Sequence, residues 1–228
     1  PHLVSRTRLR GGNYPDTRDG RLEHYRDVIA LAHSKGIKVI QDIVCNHAGP
    51  VFYYDVNQNG RFDEDYTDAN QSEWIQPFLT TGKHLETKWA AHPGWNLERT
   101  GPTGPLTVKL GTKPVKIATT GILGTFEAYG RRGYREGSLG KSDGEEVTCD
   151  FFALRDFDTD PKAPVFEKLT EEFAEIYAFY IKELGVDGLR IDTVKHVHHE
   201  FWTAFLTKLR QKIGPERATS LLVYGETY

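Results

Sequence analysis

The sequence predicts an α/β fold: three parallel strands of a (β/α)8 barrel, with a long segment inserted between the first and the second. Residues 37–44, 185–191 and 221–224 are short apolar runs of the kind that lie buried in parallel sheet. Helical periodicity precedes each of them, so the order is helix–strand three times over. Each strand also ends in an acid, Asp42, Asp192 and Glu226, at the end where a (β/α) barrel performs its chemistry.

In chain order, residues 1–20 are rich in Arg, Gly and Asp and read as loop. Asp19 is placed to cap a helix over 20–34, with Leu22, Tyr25, Val28, Ile29 and Ala32 on one face and Gly36 ending it. The strand over 37–44 runs into Cys45-Asn46-His47. Residues 48–160 are rich in Gly, Pro, Asn and Thr and lack helical periodicity. A loop that long is improbable, so this segment is expected to be an inserted subdomain with short strands of its own, including a hairpin over 107–117. Pro164 suits a first helical residue. Over 165–184, Leu169, Phe173, Ile176, Tyr177, Tyr180 and Leu184 form one stripe. His199–Ile213 carries Phe201, Trp202, Phe205, Leu206, Leu209 and Ile213 at helical spacing, and Gly214-Pro215 closes it.

The division is therefore 1–47 partial barrel, 48–160 insert, 161–228 partial barrel. Asp192 and Glu226 are 34 positions apart, close to the roughly 31 residues per βα unit in a barrel of about 250. Three strands cannot close a barrel. The sequence starts at proline and has no methionine, so it is expected to be a slice of a longer chain.

Composition narrows the function. At 228 residues, 38% hydrophobic and 12% aromatic, the chain suits a globular domain. A net charge of -3 gives no reason to expect nucleic acid or an anionic membrane as partner. No apolar run reaches the roughly 18 residues of a membrane helix. Cys45 and Cys149 are too few for a disulfide framework and read as separate thiols, with Cys45 buried.

Four motifs carry a resemblance. Asp42-Ile43-Val44-Cys45-Asn46-His47 resembles the D-x-x-x-N-H segment of the α-amylase family of glycoside hydrolases. Gly188-Leu189-Arg190-Ile191-Asp192-Thr193-Val194-Lys195-His196 resembles its G-x-R-x-D-x-x-K-H segment, and Tyr224-Gly225-Glu226 its Gly-Glu pair. Leu154-Arg155-Asp156-Phe157-Asp158 is similar to the family's Leu-Pro-Asp-Leu, with Arg155 in place of proline. The order of the motifs and the long gap after the first match as well. The resemblance implies barrel strands three to five with the insert after the third. It also implies a retaining enzyme on α-1,4-linked glucans, with Asp192 as nucleophile and Glu226 as acid/base.

The residue types suit that chemistry. Retaining glycosidases set two carboxyl groups about 5–5.5 Å apart. Arg190 puts a permanent cation beside Asp192, and Glu226 follows an apolar Leu-Leu-Val-Tyr run, a setting that suits a proton donor. The resemblance gives His47, Arg190, Lys195 and His196 to the substrate and Asp42 to structural support; His198 and His199 match no motif position and read as solvated. It further implies calcium held by Asn46, Asp156 and the main-chain oxygen of His196. A second calcium loop is read from Asp55, Asn57, Asn59, Asp63 and Asp65, a D-x-N-x-N-G spacing without the closing Glu of an EF-hand. Tyr53, Tyr54, Trp74, Trp89, Trp95 and Tyr134 are candidates to stack on sugar. The family's third carboxylate, after an Asn-His pair, has no counterpart up to Tyr228, so a chain of this extent is expected to be inactive by itself. Alternatives are a glucanotransferase of the same family, a non-catalytic binding scaffold, and a metal-dependent barrel hydrolase using Asp42, His47 and His196. The glucan reading carries an expectation of a secreted or periplasmic setting.

Overall fold

A computed structural model describes residues 17–49, 97–99, 106–110, 113–116, 121–130, 147, 150 and 154–227, with backbone alone for the three segments from 97 to 116. Along the chain these form α1 (Arg18–Ser34), β1 (Ile40–Ile43), β2 (His47–Ala48), β3 (Leu97–Arg99), β4 (Leu106–Leu110), β5 (Lys113–Lys116), β6 (Arg155–Asp156), α2 (Phe166–Glu183), β7 (Gly188–Ile191), α3 (His199–Ile213), α4 (Pro215–Ser220) and β8 (Leu222–Gly225). No helix among the described residues is long and apolar enough to cross a membrane.

The central sheet is β1-β7-β8, parallel throughout. Its register aligns Asp42 with Arg190 and Arg190 with Tyr224, so the three strands end level. Gly188 permits the β7–β8 approach: a Cβ there would stand 2.7 Å from the Leu222 carbonyl oxygen.

Helices α2 and α3 cover the sheet through an aromatic seam. Phe173 meets Phe201 at 5.8 Å and Tyr177 meets Phe205 at 5.9 Å, both edge-on. Leu169, Phe201, Phe205 and Leu209 are completely buried, so truncating Phe201 to alanine costs about 3–5 kcal/mol. The expected bounds of α3 are those observed, because its apolar spacing and Gly214 (φ 82) leave no other solution. Pro215 then opens α4, which sequence reading missed by treating Gly-Pro only as a stop.

Other boundaries need correction. The cap of α1 is Thr17, whose Oγ1 accepts the Gly20 amide at 3.1 Å; Asp19 instead lies inside the first turn. The apolar face is narrower than expected, since Ile29 is buried while Val28 is 49% exposed. Strand β1 is half the expected length, and Ile37 lies outside it, exposed. Pro164 precedes α2 rather than starting it.

Beside the central sheet lies a separate two-stranded sheet. β2 pairs antiparallel with β6, His47 opposite Asp156 and Ala48 opposite Arg155. Tyr129 bridges Phe157 and stacks on its ring at 5.0 Å. The hairpin expected over 107–117 forms from β4 and β5, with β3 added on the β4 side.

Candidate active site

The acid cluster of the site hangs from the carboxyl ends of the three parallel strands. At its centre is Arg190 on β7, one-quarter exposed. Its Nη1 donates to Asp42 at 2.9 and 3.1 Å and to Asp192 Oδ1 at 3.0 Å, and its Nη2 is 2.6 Å from Glu226 Oε2. Strand geometry dictates this. Arg190 and Asp192 are two residues apart, hence on one face, and Asp42 is the register partner of Arg190. The amide of Glu226 bonds the Ile191 carbonyl at 2.8 Å and that of Asp192 bonds Ile43 at 2.9 Å, which ties both strand exits down. Asp42 first, then Glu226 and Asp192, push the Arg190 pKa up against the opposing effect of its desolvation. Three acids on one cation leave a surplus of negative charge at the strand ends.

The chain turns sharply after Asp192. Thr193 has φ 50 and is the one non-glycine residue in the left-handed region among those described. For a β-branched residue this is strain of about 1–3 kcal/mol. It folds Val194–His196 into a tight turn, with the His196 amide on the Thr193 carbonyl at 2.9 Å. Trp202 Nε1 clamps that turn through the Val194 carbonyl at 2.8 Å.

Beside the carboxylates lies a buried polar joint. Asn46, 1% exposed, gives Nδ2 to Asp156 Oδ1 at 2.8 Å and to the His196 main-chain oxygen at 2.7 Å. Its Oδ1 is 2.8 Å from His47 Nδ1, and since an amide oxygen only accepts, that nitrogen carries the proton. Burial pushes the His47 pKa down and His196 adds to this, while Asp192 pulls it up. The net shift is downward, so His47 is a neutral imidazole at pH 7.

The structure thus brings together Asp42, Arg190, Asp192 and Glu226, and brings Asn46, Asp156 and the His196 carbonyl to one point. Lys195 sits half-buried on the same turn as His196. Two expectations about surroundings change. Glu226 is not in a dry setting, because Leu222 and Tyr224 are 53% and 47% exposed and Glu226 itself meets Arg190. His198 is not merely solvated: it precedes α3, and its Nδ1 lies 3.1 Å from the Thr159 hydroxyl. His199 is exposed as expected. Cys45 is a fully buried free thiol, its pKa pushed up by that burial. Asp55, Asn57, Asn59, Asp63 and Asp65, Cys149, Tyr53, Tyr54, Trp74, Trp89, Trp95 and Tyr134 lie outside the described residues. Sequence reading missed Asp150 and the burial of Arg155 (0% and 1% exposed, 3.1 Å apart), for which no local pattern exists.

No family model matches the chain. It is 27% identical over 216 residues, 93% of its length, to an alpha-amylase of Streptomyces lividans. The chain is a relative of the α-amylase family of glycoside hydrolases. It is also 26% identical over 215 residues to a cyclomaltodextrinase of Thermoanaerobacter pseudethanolicus. The chain spans 21% and 25% of the lengths of these two relatives. Among solved structures it is similar to an alpha-amylase from Geobacillus thermoleovorans in complex with acarbose, at 18% identity and a TM-score of 0.46, covering 91% of this chain and 29% of that one.

Proposed function

We propose that this chain supplies the nucleophile and the acid/base of a retaining, α-amylase-type hydrolase of α-1,4-linked glucans, its three parallel strands being staves three to five of a (β/α)8 barrel with residues 48–160 inserted after the third. The observation that carries this is the convergence of Asp192 and Glu226 on the two arms of one guanidinium. Two carboxyl groups from neighbouring strands so held lie on the same face, as double displacement requires. The names of the two curated relatives, alpha-amylase and cyclomaltodextrinase, give the substrate class.

In this reading the Asp192 carboxylate attacks the anomeric carbon and forms a glycosyl ester while Glu226 protonates the departing glycosidic oxygen. With Oε2 held by Arg190 Nη2, the oxygen that serves the leaving group in this reading is Oε1. Glu226 then takes a proton from water, which attacks the ester and restores Asp192. Neutral His47 hydrogen-bonds a sugar hydroxyl without adding charge, and Lys195 and His196 line the leaving-group side. Asp42 braces Arg190.

Calcium is proposed at Asn46, Asp156 and the His196 main-chain oxygen. The donor chemistry fits: the Asp156 carboxylate, the His196 carbonyl and the Asn46 amide oxygen are hard ligands gathered at one joint. An ion held there would join β6 to the strand ends and supply no chemistry to the sugar bond. A second site in the Asp55–Asp65 segment is part of the same proposal.

The test uses the complete protein on a maltooligosaccharide beside Asp192→Asn and Glu226→Gln. Each variant should lose about 10²–10⁴ in kcat, and the products should be reducing sugars of retained configuration. Wild-type turnover in either variant ends the reading; products longer than the substrate would move it to a glucanotransferase.

A further inference from the structure

A guanidinium taken fully out of water is unfavourable unless an opposite charge and hydrogen bonds meet it. Arg155 is 1% exposed, at the position where the family motif has proline. Its partner is Asp150, itself 0% exposed, whose Oδ2 stands 3.1 Å from Nη1. The other oxygen, Oδ1, accepts the amide of Asp156 at 2.9 Å. Asp156 Oδ1 accepts Asn46 Nδ2 at 2.8 Å, and that nitrogen also serves the His196 carbonyl at 2.7 Å. Asn46 Oδ1 then meets His47 Nδ1 at 2.8 Å. A continuous chain of bonds leads from Arg155 to the imidazole, and every group before the ring is buried. β2–β6 pairing reinforces it, with His47 opposite Asp156 and Ala48 opposite Arg155.

Removing the cation would take the Arg155 bond from the buried Asp150 carboxylate and loosen the hold of that carboxylate on the Asp156 amide. The Asn46 amide would then lose one of the two acceptors that fix its orientation. His47 depends on that orientation for both its tautomer and its ring angle.

We propose that Arg155 is a positioning residue: a resident buried cation that sets the His47 ring through Asp150, Asp156 and Asn46, and that keeps the β2–β6 joint folded whether or not a divalent ion is bound. The inference rests on the glucan reading for what His47 touches, and on the bonds alone for the rest. Calcium at the joint adds to a structure that Arg155 already organises.

The experiment compares wild type, Arg155→Met, Arg155→Lys and the double variant Arg155→Met/Asp150→Asn in the complete protein. Thermal unfolding and maltooligosaccharide kinetics are measured in chelator and in millimolar calcium. In chelator the wild type should stay folded and keep KM within about threefold of its calcium value. Arg155→Met should raise KM about tenfold, with kcat changed far less because Arg190, Asp192 and Glu226 are untouched. Its Tm should fall by about 10 °C. Calcium should raise the Tm of Arg155→Met by at least roughly 5 °C more than that of wild type. Arg155→Lys should recover most of the KM, and the double variant most of the Tm, since it removes both charges of the buried Arg155–Asp150 pair together. If Arg155→Met cannot be obtained folded, these two variants carry the same comparison.

A fall in Tm with KM unchanged would reduce Arg155 to a brace. Unfolding of wild type by chelator as readily as Arg155→Met would give the role to the metal instead. Absence of any glucan turnover by wild type would defeat the glucan reading, while the chelator and Tm comparison would still decide the buried-cation claim.

Discussion

β7 carries an acid just outside each of its ends, and the two are treated in opposite ways. At the amino end, Asp187 accepts from Val39 N at 2.8 Å, His33 Nε2 at 2.7 Å and Lys38 Nζ at 2.9 Å. One carboxylate is shared there by two basic side chains and an amide. At the carboxyl end, the arrangement is inverted: one guanidinium is shared by Asp42, Asp192 and Glu226. The first cluster is neutralised and ties α1, the start of β1 and the α2–β7 loop together. The second retains excess negative charge, leaving acids that outnumber their cation. The same ion-pair physics braces one end and, in the proposed reading, leaves the other able to react, as (β/α) barrels divide their two faces.

The largest expected effect comes from exchanging the shared cation. Arg190→Lys keeps the charge but replaces a fork that reaches three carboxylates with a single ammonium. The kcat of the complete protein should fall by about 10²–10³. Lys38→Ala, at the neutralised end, should leave kcat where it was. Equal losses from the two changes, or none from the first, would erase the functional distinction between the ends.

Stability should respond the other way round. Against burial, which pushes it up, the bonds from Val39, Lys38 and His33 pull the Asp187 pKa down to about 2. A depressed carboxylate stabilises the fold fully above its unfolded value near 3.9 and loses that contribution as pH falls through about 2. The contribution is about 2 kcal/mol at neutral pH. Asp187→Asn should therefore lower Tm at pH 7 and flatten the acid limb of unfolding between roughly pH 4 and 2. A variant as acid-sensitive as the wild type would show that the cluster at this end does not brace the fold.

Much of this was legible because it is local. The spacing of Phe201, Phe205 and Leu209 and the glycine after Ile213 fix α3 without tertiary help. Asp192 and Glu226 could be placed at strand ends because a strand, once located, fixes where its terminal residues point. What escaped depends on segments far apart in sequence. Arg155 and Asp150 look like surface charges until β6 closes against β2, more than a hundred residues upstream. The surroundings of Glu226 were misjudged because Leu222 and Tyr224 are apolar yet lie on uncovered parts of β8 among the described residues. Tertiary contact decided these, and local propensity carries no signal of it.

The smallest effect separates two helix caps. Sequence reading put Asp19 at the start of α1; the structure gives that place to Thr17, with Oγ1 on the Gly20 amide at 3.1 Å. The difference matters to the braced end, because α1 delivers His33 to Asp187. Thr17→Ala should cost about 1 kcal/mol, a fall in Tm of roughly 2–4 °C in a domain of this size. Thr17→Ser, which keeps the hydroxyl, should cost almost nothing. Asp19→Ala removes only a first-turn charge and should cost about 0.3–1 kcal/mol, shrinking as salt is added. A salt-independent loss at Asp19 with none at Thr17 would reverse the assignment, since a cap is a hydrogen bond that ions do not screen and a helix-dipole interaction is one that they do.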